Sequence, residues 1–458
     1  MKVAILGYGI EGKAAAAYFF NKGYEVTICD EKKIKLERNV QGSKVVHGAD
    51  YLKNLDFFDL IIRSPGISPN KTELKAHKNK ISSATKYFFE NCPCKIVGVT
   101  GTKGKGTTAT LLFEMLKKSK RGVYLGGNIG TPPLVFLDKL KKEDLVILEL
   151  SSFQLMDLDR SPDIALVLGI TPDHLNYHSD FDEYIEAKKN IIKFQKKSDL
   201  AIIDIDNKES VEFAKSTKGK VFGVSIKKPV NKGGYIKVGK LVLVDDKEAT
   251  IIGETDGVKL IGEHNIKNIL MAGVAANKLG VSVEVIQEVA QTFAGLPHRL
   301  EFVARKDGVD FYNDSASTNP HTAIAAIHAF KKPMILIVGG ASKGVDFETL
   351  AHEIVLQKHV KTVVLLGETK KEIEDAIDDA ALEQRVKVLA EAAKKGKEPP
   401  PPHGLEIIVA QSMAEACMVA RLVSTDGDVV VLSPACTSFD MFADYKERGE
   451  AFKTLVLE

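Results

Sequence analysis

The hydrophobic and polar positions at the start of the chain alternate between short aliphatic runs and amphipathic segments. Residues 3–6 form an aliphatic run, an amphipathic segment closed by Gly23 follows, and a second apolar run covers residues 24–30. A further aliphatic run lies at residues 60–62. A strand, a helix and a second strand in this order predict a βαβ opening. We place the end of the first domain near Asn91.

The middle of the chain repeats this alternation with longer aliphatic runs. Strands are predicted at 95–99, 145–150, 164–170 and 200–203, and helices at about 182–194 and 262–279. Continuous aliphatic strands that alternate with helices are typical of a parallel sheet covered on both faces. Residues 220–260 instead alternate apolar positions with Gly, Asp and Lys turns, which predicts a small antiparallel appendage. Residues 295–297, Gly-Leu-Pro, are predicted to be a linker.

The last part of the chain is again an alternation of strands and helices, with strands predicted at 334–338, 362–366 and 429–432. Residues 394–403 include four consecutive prolines, which predict a stiff surface loop. The chain is therefore predicted to be an α/β protein of three domains, covering residues 1–91, 92–296 and 297–458. Its length of 458 residues agrees with that number at about 150 residues per domain.

The charge balance limits the possible partners. The chain has 63 Lys and Arg residues against 61 Asp and Glu residues, a formal net charge of +2. So small an excess gives no support to a sequence-independent nucleic-acid coat or a polybasic membrane anchor. The start of the chain lacks the basic region and apolar core of a signal peptide, and no apolar run approaches about 18 residues. We expect a cytoplasmic protein, a monomer, without nucleic-acid or membrane partners.

The five cysteines are an odd number spread over a long chain, which argues against a disulfide framework and for a reducing compartment. Cys92 and Cys94 flank Pro93 and could form half of a metal site. No second pair of Cys or His lies at ligand spacing. We therefore interpret Cys92 and Cys94 as structural thiols.

A glycine fingerprint follows the first predicted strand. Gly7, Gly9 and Gly12 fit the pattern GxGxxG, and Asp30 ends the next strand. Glycines at this spacing let a diphosphate approach backbone N–H groups at a helix N-terminus, and the acid can hold a ribose hydroxyl. The pattern alone suggests NAD, but it does not identify the nucleotide, and glycines that only permit close packing remain an alternative. The segment 64–66, Ser-Pro-Gly, ends another strand at the same predicted sheet edge.

A second glycine-rich segment, residues 98–108, also connects a buried strand to a helix. Its glycines free backbone N–H groups to surround phosphate oxygens, and Lys105 can neutralise charge on the β- and γ-phosphates. The segment departs from the strict P-loop pattern, since Val99 stands where the first Gly belongs and Gly106 directly follows the Lys. The hydroxyl that reaches magnesium is therefore expected from Thr107 or Thr108. We predict an ATP site.

An ATP site also needs a metal-holding acid. Glu149 lies at the end of an aliphatic strand, where a carboxylate is costly unless it is paired or bound to metal. Glu149 is therefore the first Mg²⁺ candidate. His174 follows another buried strand and could bind a metal or orient a phosphate; the alternative is an ordinary hydrogen-bonding histidine.

Four segments together resemble the ATP-dependent Mur ligase family of peptidoglycan synthesis. They are Gly-Thr-Lys-Gly-Lys at 101–105, Glu-Leu-Ser-Ser-Phe-Gln-Leu at 149–155, Gly-Glu-His-Asn-Ile-Lys-Asn at 262–268 and Leu-Pro-His-Arg at 296–299. The run at 151–155, together with Leu-Ser-Pro-Ala-Cys-Thr-Ser-Phe-Asp at 432–440, resembles the branch that adds D-glutamate. The resemblance implies a Rossmann-like N-terminal domain that binds a UDP-sugar, a central P-loop ATPase-type domain and a Rossmann-like C-terminal domain that binds the incoming amino acid.

The activity implied by the resemblance is ATP-dependent joining of D-glutamate to UDP-N-acetylmuramoyl-L-alanine through an acyl phosphate. Positions implied to hold the UDP-sugar substrate are Gly9, Ile10, Glu11, Asp30, Ser64, Gly66 and Asn128. Positions implied to hold ATP are Gly101, Thr102, Lys103, Gly104, Lys105, Gly106, Thr107, Thr108, Asn268, Arg299 and Asp314. Those implied to support Mg²⁺ are Thr107, Glu149, His174 and Lys188, the last as a carbamylated lysine, and Lys105, His174 and Lys188 would be catalytic. Lys343, Ser438 and Tyr445 are implied to hold D-glutamate.

The sequence departs from the family pattern at three positions. Ala316 stands where many relatives have Lys, Tyr445 replaces a Phe, and Gly106 replaces a hydroxyl residue. The Gly-Lys-Gly sequence is more typical of the related folylpolyglutamate synthetases, which form one alternative, although they should lack the first domain. An NAD-binding sensor or dehydrogenase and an ATP-binding protein without turnover are the others.

Overall fold

A computed structural model of the chain describes residues 1–119, 122–173, 177–246, 248–260, 262–342, 344–395, 397–401 and 404–458. These residues form two compact units. The first unit comprises residues 1–258 and 263–293, and the second comprises residues 259–262 and 294–458. Each unit is built from sheets with helices on their faces, which confirms the predicted α/β class. None of the helices in the described segments combines the length and apolar character that a membrane span requires.

The first unit begins with a five-stranded, fully parallel sheet of order β3-β2-β1-β4-β5. Its strands are β1 (Lys2–Leu6), β2 (Glu25–Asp30), β3 (Lys44–His47), β4 (Leu60–Arg63) and β5 (Ile81–Ser83), and its helices are α1 (Ile10–Asn21), α2 (Thr72–Lys75) and α3 (Ala84–Asn91). Strand β1 is buried from Val3 to Leu6, because helices and loops cover both faces of a parallel sheet. The predicted βαβ opening is confirmed.

The second sheet of this unit has nine strands in the order β14-β13-β12-β11-β10-β9-β6-β8-β7. Its strands are β6 (Lys95–Thr100), β7 (Val123–Gly127), β8 (Leu145–Glu149), β9 (Ile164–Val167), β10 (Leu200–Asp204), β11 (Lys220–Ser225), β12 (Lys232–Lys237), β13 (Lys240–Asp245) and β14 (Glu248–Glu254). The helices are α4 (Lys105–Lys118), α5 (Ser152–Leu155), α6 (Phe181–Lys193), α7 (Lys208–Ala214), α8 (Glu263–Lys278) and α9 (Val283–Thr292).

The predicted antiparallel appendage is a continuation of this sheet. Strands β12, β13 and β14 pair antiparallel, as predicted. However, β11, which the prediction also assigned to the appendage, pairs parallel with both β10 and β12. The prediction is wrong for this strand, and the antiparallel strands extend the parallel sheet instead of standing apart from it.

The second unit contains a six-stranded sheet of order β15-β16-β20-β17-β18-β19. Its strands are β15 (Glu301–Lys306), β16 (Val309–Asn313), β17 (Met334–Val338), β18 (Val360–Leu365), β19 (Glu406–Val409) and β20 (Val429–Leu432), and its helices are α10 (Pro320–Ala329), α11 (Glu348–Leu356), α12 (Lys370–Lys394), α13 (Met413–Val423) and α14 (Tyr445–Leu457). Only β15 is antiparallel to its neighbour among the pairings of this sheet. Two apolar clusters cover its two faces.

Candidate functional site

Residues of the glycine fingerprint lie at the carboxyl edge of the five-stranded sheet. Asp30 ends β2, and its carboxylate accepts hydrogen bonds from the Tyr8 N–H at 2.7 Å and the Lys32 N–H at 2.9 Å. Ser64 follows β4 and donates its hydroxyl to the Gly7 carbonyl at 3.0 Å. Strand β1 pairs with both β2 and β4. The structure therefore brings the fingerprint, Asp30 and Ser64 to one edge, where open parallel sheets bind ligands.

The glycines of this loop have separate steric roles. Gly7 has φ +85°, a conformation that favours glycine. A Cβ atom at Gly12 would lie 1.9 Å from the Gly7 carbonyl oxygen, so this glycine lets α1 approach the loop. Gly9 caps α1, and Ile10 is 78% exposed beside it. The N-terminus of α1 can thus offer N–H groups to an anion.

The side chain of Glu11 points toward α5 of the nine-stranded sheet. Gln154 donates its Nε2 to Glu11 Oε1 at 2.5 Å. Burial raises the pKa of Glu11 to about 7, although the Gln154 hydrogen bond acts in the opposite direction. Gln154 also completes a capping box with Ser151 at the start of α5. Glu11 therefore connects the two sheets of the first unit through its side chain.

The second glycine loop lies between β6 and α4. Gly101 has φ +151° and Gly104 has φ +84°, which favours glycine at both positions. Lys105 begins α4, and its Nζ donates to the carbonyl oxygens of Gly101 and Thr102, each at 3.0 Å. The loop, the helix N-terminus and the lysine together provide the N–H groups and the cation that a phosphate needs.

Thr107 and Thr108 differ in their surroundings. Thr108 is fully buried and donates its hydroxyl to Asn268 Oδ1 at 3.2 Å. Thr107 is half-buried on the first turn of α4. The sequence does not decide whether Thr107 or Thr108 supplies the hydroxyl that reaches magnesium. Because the Thr108 hydroxyl is buried and hydrogen-bonded, that of Thr107 is the one that can contact a ligand.

Asn268 of α8 lies directly against the glycine loop. A Cβ atom at Gly104 would stand 2.5 Å from Asn268 Oδ1. Asn268 Nδ2 donates in turn to Asn265 Oδ1 at 2.9 Å. This predicted ATP-binding residue is thus brought to the loop from a position more than 150 residues further along the chain.

Lys188 reaches the same loop from α6. It is 1% exposed, and its Nζ donates to the Gly101 carbonyl at 2.9 Å and to Thr100 Oγ1 at 3.3 Å. Lys188 and Lys105 therefore share the Gly101 carbonyl oxygen. Burial, and then the charge of Lys105, lower the pKa of Lys188 well below its usual range.

Glu149, the last residue of β8, has one hydrogen-bonded carboxylate oxygen and one without a hydrogen-bond partner among the described residues. Its Oε1 accepts from Asn128 Nδ2 at 3.1 Å. Its Oε2 is buried and has no hydrogen-bond partner among the described residues. A buried carboxylate oxygen of this kind is costly unless a cation or donor reaches it, so Glu149 fits a divalent cation.

The described side chains do not by themselves complete a metal site. Across the described ranges, no group of three or more His, Cys, Asp or Glu side chains is placed to hold a metal ion. His174, the remaining candidate ligand, lies outside the described residues. The candidate donors among the described residues are therefore the free carboxylate oxygen of Glu149 and the half-buried hydroxyl of Thr107.

The second unit carries the remaining candidates. Asp314 follows β16 and is buried, which raises the pKa of its carboxyl to about 6. It accepts hydrogen bonds from the hydroxyls of Ser317 and Ser433 and, at 3.1 Å, from the Leu300 N–H. Asp314 is therefore fixed within the loops at the end of the sheet.

Three other predicted residues of this unit, Arg299, Ser438 and Tyr445, have different surroundings. Ser438 is buried after β20, and Tyr445 begins α14 and is 37% exposed. Arg299 is exposed before β15. Lys343 lies outside the described residues. The structure therefore places Ser438 between β20 and α14 and Tyr445 at the first position of α14.

Two residues that support these loops are missed by the sequence analysis. Tyr184 lies on α6, with its hydroxyl 3.0 Å from Thr102 Oγ1. Arg448 is fully buried on α14 and donates to the carbonyl oxygens of Ser315, Cys436 and Thr437. The available signal for Arg448 is its spacing: it shares the buried face of α14 with apolar residues four and eight positions later.

Comparison with protein families gives three matches along the chain. The Mur ligase MurD-like N-terminal domain matches residues 1–83, the Mur ligase middle domain matches residues 99–276, and the Mur ligase glutamate ligase domain matches residues 298–436.

Individual relatives match nearly the whole chain. A UDP-N-acetylmuramoylalanine–D-glutamate ligase from Clostridium kluyveri is 39% identical, covering 99% of this chain and 96% of the relative. One from Acetivibrio thermocellus is 38% identical with the same coverage. Among solved structures, UDP-N-acetylmuramate-alanine ligase from Thermotoga maritima has a TM-score of 0.57 at 16% identity, covering 100% of this chain and 99% of the other. The structural likeness supports the fold.

Proposed function

The chain belongs to the Mur ligase family, and on this premise we propose that it is the ATP-dependent ligase that adds D-glutamate to UDP-N-acetylmuramoylalanine during peptidoglycan precursor synthesis. The support from relatives is near-complete coverage at 36–39% identity by ligases of that name. The structural observation that carries the proposal is the cluster at the 101–108 loop. There, Lys105 and Lys188 share the Gly101 carbonyl, and the first turn of α4 offers its N–H groups.

The chemistry of amide formation explains why a ligase needs this cluster. A carboxylate does not react with an amine at neutral pH, because oxide would have to leave. In the proposed reaction the substrate carboxylate attacks the γ-phosphate of ATP, the bond to the β-phosphate oxygen breaks, and ADP leaves behind an acyl phosphate. Lys105 offsets the charge on the transferring group. The amine of D-glutamate then attacks the acyl phosphate carbon and expels phosphate through a tetrahedral intermediate.

We assign Mg²⁺ to the buried carboxylate of Glu149 and the hydroxyl of Thr107, with His174 and Lys188 as the ligands implied by the family. When bound, Mg²⁺ supplies charge stabilisation for phosphoryl transfer. The Glu149 Oε2 atom without a partner among the described residues supports this assignment. Carbamylation of Lys188 is part of the proposal, because it would turn a buried cation beside Lys105 into an anion.

The other candidate residues are proposed to bind the three substrates: the UDP-sugar, ATP and D-glutamate. The UDP-sugar would bind at the edge formed by Gly9, Ile10, Glu11, Asp30, Ser64 and Gly66, together with Asn128. Glu11 would bind it through its backbone, because its side chain is hydrogen-bonded to Gln154. Asn268, Arg299 and Asp314 would contact ATP. Lys343, Ser438 and Tyr445 would hold D-glutamate, a dianion that requires cations and hydroxyl donors.

We place the ligase in the cytoplasm as a monomer, with the three domains bounded near residues 91 and 296. All five cysteines are free thiols, which supports a reducing compartment. Size-exclusion chromatography with light scattering tests the monomer, since a dimer would double the measured mass.

A phosphate-release assay tests the function. Release should require both UDP-N-acetylmuramoyl-L-alanine and D-glutamate, and its rate should fall at least about tenfold when either is omitted. Release with a folate and L-glutamate in their place would identify the folylpolyglutamate synthetase alternative. Phosphate release that needs no second substrate would contradict both assignments.

A further inference from the structure

Two thiols lie close together in the linker between the two sheets of the first unit. Cys92 is the C-cap of α3, and Cys94 directly precedes β6. Their Sγ atoms are 3.6 Å apart. Both residues are partly accessible, whereas the other three cysteines, Cys29, Cys417 and Cys436, are buried. The pair is therefore the part of the cysteine set that solvent reagents can reach.

The backbone holds this pair in place. Cys92 has φ −69° and ψ 122°, the extended conformation expected before proline. Pro93 fixes its own φ, so few backbone rotations separate the two thiols. The Cys92 N–H donates to the Phe88 carbonyl at 2.8 Å, which ties the first thiol to the end of α3. The Ile96 N–H donates to Asp163 at 2.9 Å, which anchors the strand after the second thiol.

We propose that Cys92 and Cys94 form a reversible intramolecular disulfide by exchange with a low-molecular-weight disulfide such as glutathione disulfide. This is a modification site separate from the proposed ligase site. The structure holds the two sulfur atoms in van der Waals contact, so closure to bonding distance requires only a local movement of the Cys-Pro-Cys segment.

The exchange takes place in two steps. The Cys92 thiolate attacks one sulfur of the small disulfide, which forms a mixed disulfide and releases one thiolate. Cys94 then loses its proton and attacks Cys92 Sγ, which releases the second small thiol. In sum, two protein thiols are oxidised to one disulfide, and one small disulfide is reduced to two thiols.

The environment distinguishes the attacking thiol from the resolving one. The hydrogen bond with the Cys94 thiol lowers the pKa of Cys92, while burial and the nearby Asp163 charge oppose this effect. The same interaction raises the pKa of Cys94. Cys92 therefore carries more thiolate and should react first.

The test is mass spectrometry of the full chain after incubation with glutathione disulfide. Trypsin cleavage after Lys86 and Lys95 releases one peptide, residues 87–95, that contains both thiols and no other cysteine. We expect this peptide to lose the mass of two hydrogen atoms and to regain it with dithiothreitol. A lasting glutathione adduct on either cysteine, a cross-link between chains, or an unmodified peptide would overturn the proposal.

Single variants separate exchange from simple thiol exposure. In Cys94→Ser the resolving thiol is missing, so a glutathione adduct should accumulate on Cys92. In Cys92→Ser the partner thiol is likewise missing, so a glutathione adduct should accumulate on Cys94. Absence of a lasting adduct in both variants would contradict thiol exchange at this pair. Circular dichroism of each variant checks that it is folded, and none of these outcomes depends on ligase activity.

Discussion

Two lysines beside one carbonyl oxygen are the most unusual feature at the scale of single residues. Lys105 and Lys188 both donate to the Gly101 carbonyl, although two like charges in a poorly hydrated site repel each other. The proposed carbamylation of Lys188 would remove this repulsion, because it turns one of the two cations into an anion and leaves Lys105 as the cation that faces a bound polyphosphate. Lys105 should therefore contribute more to ligand binding than to folding.

Replacement of Lys105 by alanine tests this view. Lys105→Ala should reduce phosphate release by about 100- to 1,000-fold, because it removes the cation facing the transferring phosphoryl group. Binding of the UDP-sugar, measured by calorimetry, should be unchanged. Lys117→Ala is the matched control, since Lys117 is exposed near the other end of α4. Undiminished turnover in Lys105→Ala would refute the ATP assignment.

At the scale of elements, two glycines with similar φ angles differ in what surrounds them. Gly23 has φ +79°, and a Cβ atom there would have no neighbour within 4 Å, whereas a Cβ atom at Gly104, with φ +84°, would meet Asn268 Oδ1 at 2.5 Å. Gly23→Ala should lower the free energy of unfolding by about 1 kcal/mol through backbone strain alone. Gly104→Ala should cost about 1 to 2 kcal/mol more, because Asn268 must move and its hydrogen bond to Thr108 is disturbed.

Urea unfolding of both variants measures the difference. Gly104→Ala should also weaken ATP binding, which Gly23→Ala should leave intact. Equal losses of stability in the two variants would show that Asn268 moves without cost, and that its contact with the loop does not hold the loop in place.

The contact between α1 and α5 predicts a pH dependence of stability. The folded-state pKa of Glu11 is about 7, above its ordinary value of 4.5, so between these values the folded chain keeps a proton that the unfolded chain releases. The free energy of unfolding therefore falls as pH rises through this window. Glu11→Gln should lose less stability than the wild type between about pH 5 and pH 8, because an amide does not titrate.

Urea unfolding at the two pH values measures this effect, with Glu73→Gln as the control on an exposed position of α2. A wild-type pH dependence that persists unchanged in Glu11→Gln would contradict the assignment to Glu11.

At the scale of the whole molecule, local patterns predict the strands that are continuous aliphatic runs and miss others, among them the exposed β3 and the largely buried β16. Strands such as β8 and β17 are buried at every position, and their continuous aliphatic runs predict them correctly. Strand β3 is exposed throughout at the edge of its sheet, so it has no aliphatic run to reveal it. The parallel pairing of β11 with β10 joins the predicted appendage to the parallel sheet, although the two patterns look separate along the chain.

In the candidate site, too, the sequence predicts the residues next to aliphatic runs and not the others. Loop 101–104 is predictable because it follows the buried strand β6, and Glu149 because it is the last residue of the buried strand β8. By contrast, the contacts from Lys188 to Gly101 and from Thr108 to Asn268 join residues 87 and 160 positions apart. Tertiary packing creates these contacts, and no local spacing specifies them. The resemblance to a known family identifies the residues in advance, whereas the physical pattern alone does not.

The division into two units predicts that the second one folds alone. Residues 294–458 contain a complete six-stranded sheet with an apolar cluster on each face, and their length is that of an ordinary domain. The expressed fragment should therefore unfold in one cooperative thermal transition and give dispersed amide signals by NMR. Its stability should be lower than in the intact chain, since it would lack Leu260, whose side chain lies 3.3 Å from the position that a Cβ atom would take at Gly295. A fragment without cooperative unfolding would show that the apolar clusters do not suffice and that the rest of the chain is needed to fold this unit.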